Sequence, residues 1–520
     1  MSNQKKSFLD SNTILAMVLT FIIFIGWQKY MESKYPKVSK ETNAQETTKV
    51  AETQAKATPS APFEEEKVAE TLNIQEKTVS FDNDIWSFDL NSNGMSVDNV
   101  VIKKINKVAK KPYTFENTKH FYPTSIDGKV LEFDFKQTSE NEFVGKALYK
   151  GQTVQKVMKV DSSNFTFDVK ISVGSERSGK FSLEQSLKSN IQEPKNKVFF
   201  LPAFERNEFF VTGEKDEERK ILTTSTTSET TEEYPSSSIA SVGDEYFTAA
   251  FLNKGKILPK VVFNQQNSKL DLNVAYEFTD LINVNEIEYK LFIGPKNVDL
   301  LSEASPDLVG VINFMYLGFI AKPILKGLNF LYGIVGNYGW AVVILTLLIR
   351  LLIMPLTVSS LKSMKRMQAI QPELKKVKEK YKDQPQVVNQ KTMEIMKKHK
   401  VNPLGGCLPM FLQMPIFFAF YRGLSESVDL YQAPFFGWIT DLSKMDPYYV
   451  FPVLSMAGMV VHQMVTPSSM DKLQKRMMLF MPVVFGIFFI TMPSALTIYM
   501  AISTWFGILQ HTIFLKEKKA

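Results

Sequence analysis

WAVVILTLLIRLLIMPL, residues 340–356, is an apolar run of helical length interrupted by one cation, Arg350, with no acidic residue to neutralise it. At ~1.5 Å rise per residue, Arg350 lies about 15 Å from Trp340 and about 18 Å from Lys362. That spacing puts it near the middle of a hydrocarbon layer ~30 Å thick. A cation at that depth costs at least ~2.5–3.5 kcal/mol and is tolerated facing a wet cavity or a partner inside a bundle. Snorkelling is the plainer reading, but neither surface is close. No enzymatic apparatus surrounds the run, so it points to a site that receives something anionic.

Outward from this run the 520 residues, with net charge +7 and 44% hydrophobic content, divide into unlike halves. Residues 1–300 are polar apart from one N-terminal run, and residues 330–515 are mostly apolar. Thr13 to Trp27 follows Lys5 and Lys6 and ends in Gly26-Trp27-Gln28-Lys29-Tyr30, which carries interfacial aromatics in place of a small-residue cleavage site. It reads as an uncleaved anchor, residues 1–30. Five further spans are expected near 338–358, 404–424, 448–465, 477–492 and 495–515, six in all. The segment 359–403 is dense in lysine, whereas the loop 425–447 carries Glu426, Asp429, Asp441 and Asp446 against Lys444. The positive-inside rule therefore predicts 359–403 inside and 425–447 outside. Alternation then puts both termini in the cytoplasm, with 31–335 exported and 516–520 a short basic tail.

Cys407 is the only cysteine, so no internal disulfide and no thiolate metal cluster is expected. His120, His399, His462 and His511 are scattered over different segments without metal-ligand spacing. No phosphate-binding motif occurs. The reading is a non-enzyme with no catalytic residues, no metal and no cofactor.

Residues 31–75, rich in Glu, Lys, Thr, Ala and Gln, read as a flexible linker. Between 76 and 297 the period switches to two: Phe165, Phe167, Val169, Ile171 and Val173 alternate with polar residues. Leu131-Phe133-Phe135 and Ile287-Tyr289-Leu291-Ile293 repeat the pattern, and Asn93-Gly94 signals a turn. An antiparallel β-sandwich follows, with Thr223 to Ser238 expected as an exposed loop. Within 298–336, Ile324, Leu325, Leu328, Leu331 and Tyr332 have the spacing of a helix lying on the outer membrane surface. In 359–403, Leu361, Met364, Met367, Ile370, Leu374, Val377 and Tyr381 mark one helix face. Asp383-Gln-Pro385 breaks it, and a weaker stripe follows from Val388 to His399. This is a helical hairpin whose lysines are solvated or meet anionic lipid headgroups. Ribosomal RNA is a further option, without sequence-specific nucleic-acid recognition.

Several motifs occur in order across 337–515: Arg350 followed by Pro355-Leu-Thr357, Asn402-Pro-Leu-Gly-Gly-Cys407 and Gln413-Met-Pro-Ile-Phe417. Then come Gln432-Ala-Pro434, Asp446-Pro-Tyr448, and Met481-Pro482 through Pro493-Ser494. The chain resembles the YidC membrane-protein insertases, and the anchor with a large exported sandwich resembles their Gram-negative branch. The resemblance implies a five-helix insertase core in the bacterial inner membrane. That core encloses a hydrophilic groove open to cytoplasm and lipid. It implies that Arg350 draws the polar flank of a nascent membrane protein inward, with Thr346, Gln413 and Tyr499 as polar groove residues. Met500 stands where part of the family has a tyrosine. Phe417, Phe485, Phe488 and Phe489 correspond to a lipid-side slide for the substrate's apolar helix. The implied partners are nascent membrane proteins, the Sec translocon, membrane lipids and the ribosome, the last through the hairpin because the tail is short.

Taken without the resemblance, Thr346 and Arg350 share a helix face. Gln413, Thr497, Ser503 and Thr504 are as readily helix–helix glue as function. Pro355, Pro409, Pro415, Pro452 and Pro482 put irregular backbone at membrane depth. The competing reading is a secondary transporter or channel for a small anion bound at Arg350. It lacks the internal repeat such folds commonly carry. A sandwich enzyme is a second competitor, but His120 is that domain's only histidine and no acid–base constellation is assignable.

Overall fold

The computed structural model describes residues 77–115, 121–173, 182–190, 207–213, 217–222, 230–266, 269–277, 286–314, 317–382, 384–399, 401, 408–466 and 472–516. The described residues all fall within one unit, 72–520. The expected anchor 1–30, the linker 31–75, the Asn402–Cys407 motif, His120 and residues 517–520 lie outside the described residues.

The alternating phenylalanines build the middle of a nine-stranded sheet. Phe167, Val169 and Ile171 of strand Thr166–Val173 stand opposite Leu291, Tyr289 and Ile287 of strand Glu286–Pro295, and all six are buried. Period-two side chains fall on one face, and such cross-strand pairs set register. The sheet order is Glu217–Leu222, Asn207–Gly213, Ser237–Gly243, Phe247–Asn253, Glu286–Pro295, Thr166–Val173, Gln152–Asp161, Glu142–Tyr149, Asp134–Ser139. A six-stranded sheet packs against it, running Thr230–Tyr234, Lys260–Gln266, Lys269–Glu277, Ser182–Asn190, Thr124–Ile126, Lys129–Val130. Phe209 of the first sheet meets Phe263 of the second, ring centroids 4.5 Å apart. A four-stranded sheet, Thr78–Asp82, Trp86–Asn91, Ser96–Ile102, Tyr113–Thr114, adds Trp86 at 5.0 Å from Phe167. Neighbouring strands in these sheets pair antiparallel. At the expected turn, Gly94 has φ +70°, and a Cβ there would meet the Pro123 and Thr124 backbone at 2.6 Å. Only glycine fits both conditions.

One expectation fails here. The stretch 223–238 is not one exposed loop, because strand Thr230–Tyr234 pairs with Lys260–Gln266 and strand Ser237–Gly243 pairs on both sides. Threonine is polar enough to suggest a loop, but its β-branch favours a pleated surface.

Lys156 crosses between the sheets, fully buried. Its Nζ donates to Gly94 O (3.1 Å), Met95 O (2.9 Å) and Thr124 Oγ1 (2.9 Å). Burial pushes its pKa down to about 7. Between pH 7 and the ordinary lysine range near 10.4 the unfolded chain holds a proton that the folded amine has released. Stability therefore rises with pH across that window. Lys156→Met flattens the rise by up to about 1.4 kcal/mol per pH unit, read as Tm of the full chain in detergent from pH 7 to 10. Equal slopes for parent and variant would refute it.

The helices follow the sandwich. Helix α1 (Val298–Ala304) is capped by Asn297, whose Oδ1 accepts from Asp299 N and Leu300 N. Helix α2 (Gly318–Val335) ends at Gly336 in the left-handed region, φ +66°. Its stripe Ala321, Ile324, Leu325, Leu328 and Leu331 is buried against the helical bundle, while Phe319, Lys322, Lys326, Phe330 and Ile334 are exposed. Next come α3 (Tyr338–Leu352), α4 (Met354–Ala369), α5 (Gln371–Lys380), α6 (Pro385–Lys398), α7 (Leu408–Ser425), α8 (Val450–Val465), α9 (Lys472–Ile490) and α10 (Ser494–Lys516).

The continuous span expected over 338–358 is broken: α3 and α4 meet at Ile353 with a 57° bend. Pro355 explains it, since it has no N–H for Leu351 O and its ring clashes with that carbonyl. Among the described residues no single helix is long and apolar enough to cross a membrane. The α3–α4 pair passes jointly, and Val450–Val465 and Leu479–Ile490 are shorter apolar helices. The six expected spans are thus not six uninterrupted apolar helices. Helix α4 also begins inside the first expected core span, and Ile370 separates it from α5 just ahead of Pro372. Ile370, Leu374 and Val401 then form a small core of their own, joining α5 to α6 with Met367, Ile395 and Met396.

The sandwich touches the helical region at the 425–447 loop. Asn106 Nδ2 donates to Val428 O (2.7 Å) and Tyr431 O (2.9 Å). Gln432 exchanges two hydrogen bonds with the Lys111 backbone. Asp429 accepts from Asn329 Nδ2 of α2 at 3.0 Å.

Candidate functional site

Arg350 lies on the last turn of α3, three residues before the bend. Its guanidinium meets one hydroxyl: Nε donates to Ser503 Oγ at 2.7 Å, and Nη2 donates to the same atom. Ser503 is on α10 and is buried. Among the described residues no carboxylate pairs with Arg350. A neutral hydroxyl leaves the positive charge uncompensated, so the site retains its attraction for an anion.

Tyr499 stands one turn before Ser503 on the same face and is buried. Gln413 Nε2 of α7 donates to Tyr499 Oη at 3.1 Å. The Tyr499 ring stacks on Phe420 at 4.0 Å, which fixes the orientation of its hydroxyl. Gln413, Tyr499, Ser503 and Arg350 thus form one polar sequence across α7, α10 and α3. Met500, next to Tyr499, is only half-buried and packs on the apolar core.

Thr346 is placed differently. It is buried one turn before Arg350, and its Oγ1 donates to Val342 O of its own helix at 2.7 Å. Its hydrogen is spent on the backbone, so it is not joined to the Arg350–Ser503 pair. The four phenylalanines also separate. Phe485 is 45% exposed, while Phe417 and Phe488 are half-buried. Phe489 is 2% exposed and does not face outward. It falls on the inward face of α9 with Pro482 and Gly486, which are buried at i, i+4, i+7 spacing.

Sequence reasoning did not single out Ser503 as the partner of Arg350. The signal available was weak: Ser503 follows Tyr499 by four residues on a span without charge. His462 of α8 and His511 of α10 approach to 4.8 Å between ring centroids. Two imidazoles do not make a metal centre, and among the described residues no group of three or more potential ligands occurs.

Two family models match the chain. "60Kd inner membrane protein" covers residues 330–520, and "YidC periplasmic domain" covers residues 134–326. The membrane protein insertase YidC of Geobacter sulfurreducens is 41% identical over 271 residues, 51% of each chain. That match spans about half the length of the relative. The Syntrophus aciditrophicus insertase YidC is 30% identical over 541 residues, 94% of this chain and 96% of the relative. A solved structure, an active YidC insertase with its first transmembrane domain resolved, is 18% identical with TM-score 0.36, covering 85% of this chain and 92% of that one. On two successive family matches and a full-length relative at 30% identity, the chain belongs to the YidC family.

Proposed function

We propose that this chain is a membrane protein insertase that moves newly made membrane proteins from the cytoplasm into the bacterial inner membrane. The observation that carries the reading is Arg350, on the last turn of α3, whose guanidinium meets a neutral hydroxyl and, among the described residues, no carboxylate. A carboxylate partner would have cancelled the field. With Ser503 as partner, the cation attracts an acidic or polar exported segment, and Gln413 and Tyr499 extend the polar surface that the segment meets.

No nucleotide is required. Burying an apolar segment of ~20 residues in lipid is strongly downhill. The obstacle is the polar flank, and a groove reaching halfway shortens its crossing. The apolar helix then leaves past Phe417, Phe485 and Phe488. The topology proposed has both termini and the 359–403 hairpin in the cytoplasm and the sandwich in the periplasm, where it serves as a docking or structural module. The Sec translocon, anionic lipids and the ribosome are the partners proposed, the last two through the lysine-rich hairpin. The substrates are proteins and no bond is made or broken, so the role is not enzymatic.

The direct test is complementation. In a bacterium depleted of its own insertase, expression of this chain restores protease-protected insertion of a single-span reporter. A chain that reaches the membrane yet restores no insertion refutes the proposal.

A further inference from the structure

Polar side chains buried among the apolar helices are mostly satisfied locally. Ser455 Oγ donates to Phe451 O at 2.8 Å, and Thr497 Oγ1 donates to Ser494 O at 3.0 Å. Two neighbours on α10 are not. Gln510 and His511 are each 3% exposed. Neither carboxamide atom of Gln510, nor Nδ1 of His511, has a hydrogen-bond partner among the described residues. Each such orphan costs about 1–3 kcal/mol. A leucine at 510 would fill the same space without that cost and is as good a helix former. The packing alone therefore gives no reason for glutamine.

The position of Gln510 supplies one. It follows Ser503 by seven residues, so it lies two turns along the same face, about 10 Å further on. It thus continues the stripe of Tyr499 and Ser503 away from Arg350 and toward the C-terminal end of α10. His462 packs over Gly507, where a Cβ would meet its Nε2 at 3.4 Å, and brings its ring beside His511. Gln463, next in the chain, has its Oε1 without a partner among the described residues as well. Polar atoms lacking partners among the described residues thus fall on two successive residues of α10, beyond the site already described.

We infer that Gln510, next to His511 on α10, is a second station on the substrate path, one that takes uncharged peptide groups of the translocated segment. This rests on the insertase reading. Arg350 has donors only and serves carboxylates. A carboxamide offers donors and an acceptor in one plane, the same set a peptide group presents, so the two engage at two points. Every backbone N–H and C=O of a segment at membrane depth needs such a partner. In the resting bundle Gln510 is buried and its carboxamide has no partner among the described residues. A peptide group that enters gains two hydrogen bonds that the resting state lacks, which offsets the parting of the helices.

The test uses the full chain in lipid vesicles with two substrates sharing one apolar helix. One has a long uncharged Ser/Asn/Gly exported tail, the other only a few exported residues. Gln510→Leu should slow the long-tailed substrate about fivefold or more, equivalent to roughly 1 kcal/mol, leave the short-tailed one at the parent rate, and be rescued in part by Gln510→Asn. Unchanged insertion of the long tail overturns the inference, and so does equal slowing of both, which would mark a packing role. Should Gln510→Leu fail to fold, a photocrosslinker at position 510 decides: adducts with the stalled exported tail support the station, and none refutes it. Failure of the parent chain to insert either substrate sinks the insertase reading itself. Parent insertion with an indifferent position 510 sinks only the second station.

Discussion

Arg350→Ala inserts substrates with acidic exported tails about ten- to a hundredfold more slowly than the parent chain, and leaves neutral-tailed substrates within about twofold. Opposite charges ~4 Å apart at an effective dielectric constant near 20 attract by about 4 kcal/mol. Part of that is lost because the guanidinium exchanges its two hydrogen bonds to Ser503 for the incoming carboxylate. The remainder, about 1.4–2.8 kcal/mol, is the factor of ten to a hundred. Arg350→Lys keeps the charge and loses less, since the attraction needs a cation more than a planar fork. Ser503→Ala acts oppositely to a simple loss: it frees the guanidinium, and acidic tails insert at least as fast as in the parent. The measurement is the protease-protected fraction of the tail in membrane vesicles over time. Equal rates for Arg350→Ala with acidic and neutral tails would remove Arg350 from the mechanism.

That Arg350 stands as a lone cation on an apolar helix was legible because it depends only on the local run. Its partner was not. Ser503 lies 153 residues away, and a lone serine on an apolar helix is as readily structural glue as a ligand. The sandwich was legible through period-two phenylalanines, which need no distant information to declare a buried face. Strand Thr230–Tyr234 was missed because its Thr/Glu composition reads as solvent-exposed, while the pairing with Lys260–Gln266 that orders it is non-local. The burial of Phe489 was not legible from the spacing of 485, 488 and 489; it sits at the edge of the inward face of α9 that Pro482 and Gly486 mark. The bend at Ile353 was implicit in Pro355, although a run of apolar residues reads first as a straight span. Gln510 carried no sequence signal at all, since its interest lies in partners that the described residues do not supply.

Asp446→Ala lowers the Tm of the full chain by roughly 10 °C and opens the 425–447 loop to proteolysis. Asp446 is fully buried, and its carboxylate accepts three hydrogen bonds: from Trp438 Nε1 (2.9 Å), Tyr448 N (3.1 Å) and Phe451 N (2.9 Å). The last two satisfy backbone donors around Tyr449, whose φ of +57° is the strained entrance to α8. The carboxylate also sits where the N-terminus of α8 favours negative charge. Hydrogen bonds to a charged acceptor contribute about 1.5–3 kcal/mol each, so losing three removes at least about 4 kcal/mol. At about 2–4 °C per kcal/mol for a few hundred residues, that sets the expected shift. Gln432→Ala is the control. It removes the two neutral bonds exchanged with the Lys111 backbone on the sandwich side, worth about 1 kcal/mol each, and leaves the frame around Asp446 intact. Asp446→Asn falls between, because one acceptor oxygen survives while the new NH2 group faces another donor. If Asp446→Ala and Gln432→Ala shift Tm alike, the loop is held by the sandwich and not by its own carboxylate. The order expected here makes the loop a self-supporting cap, whose closure does not depend on the domain resting on it.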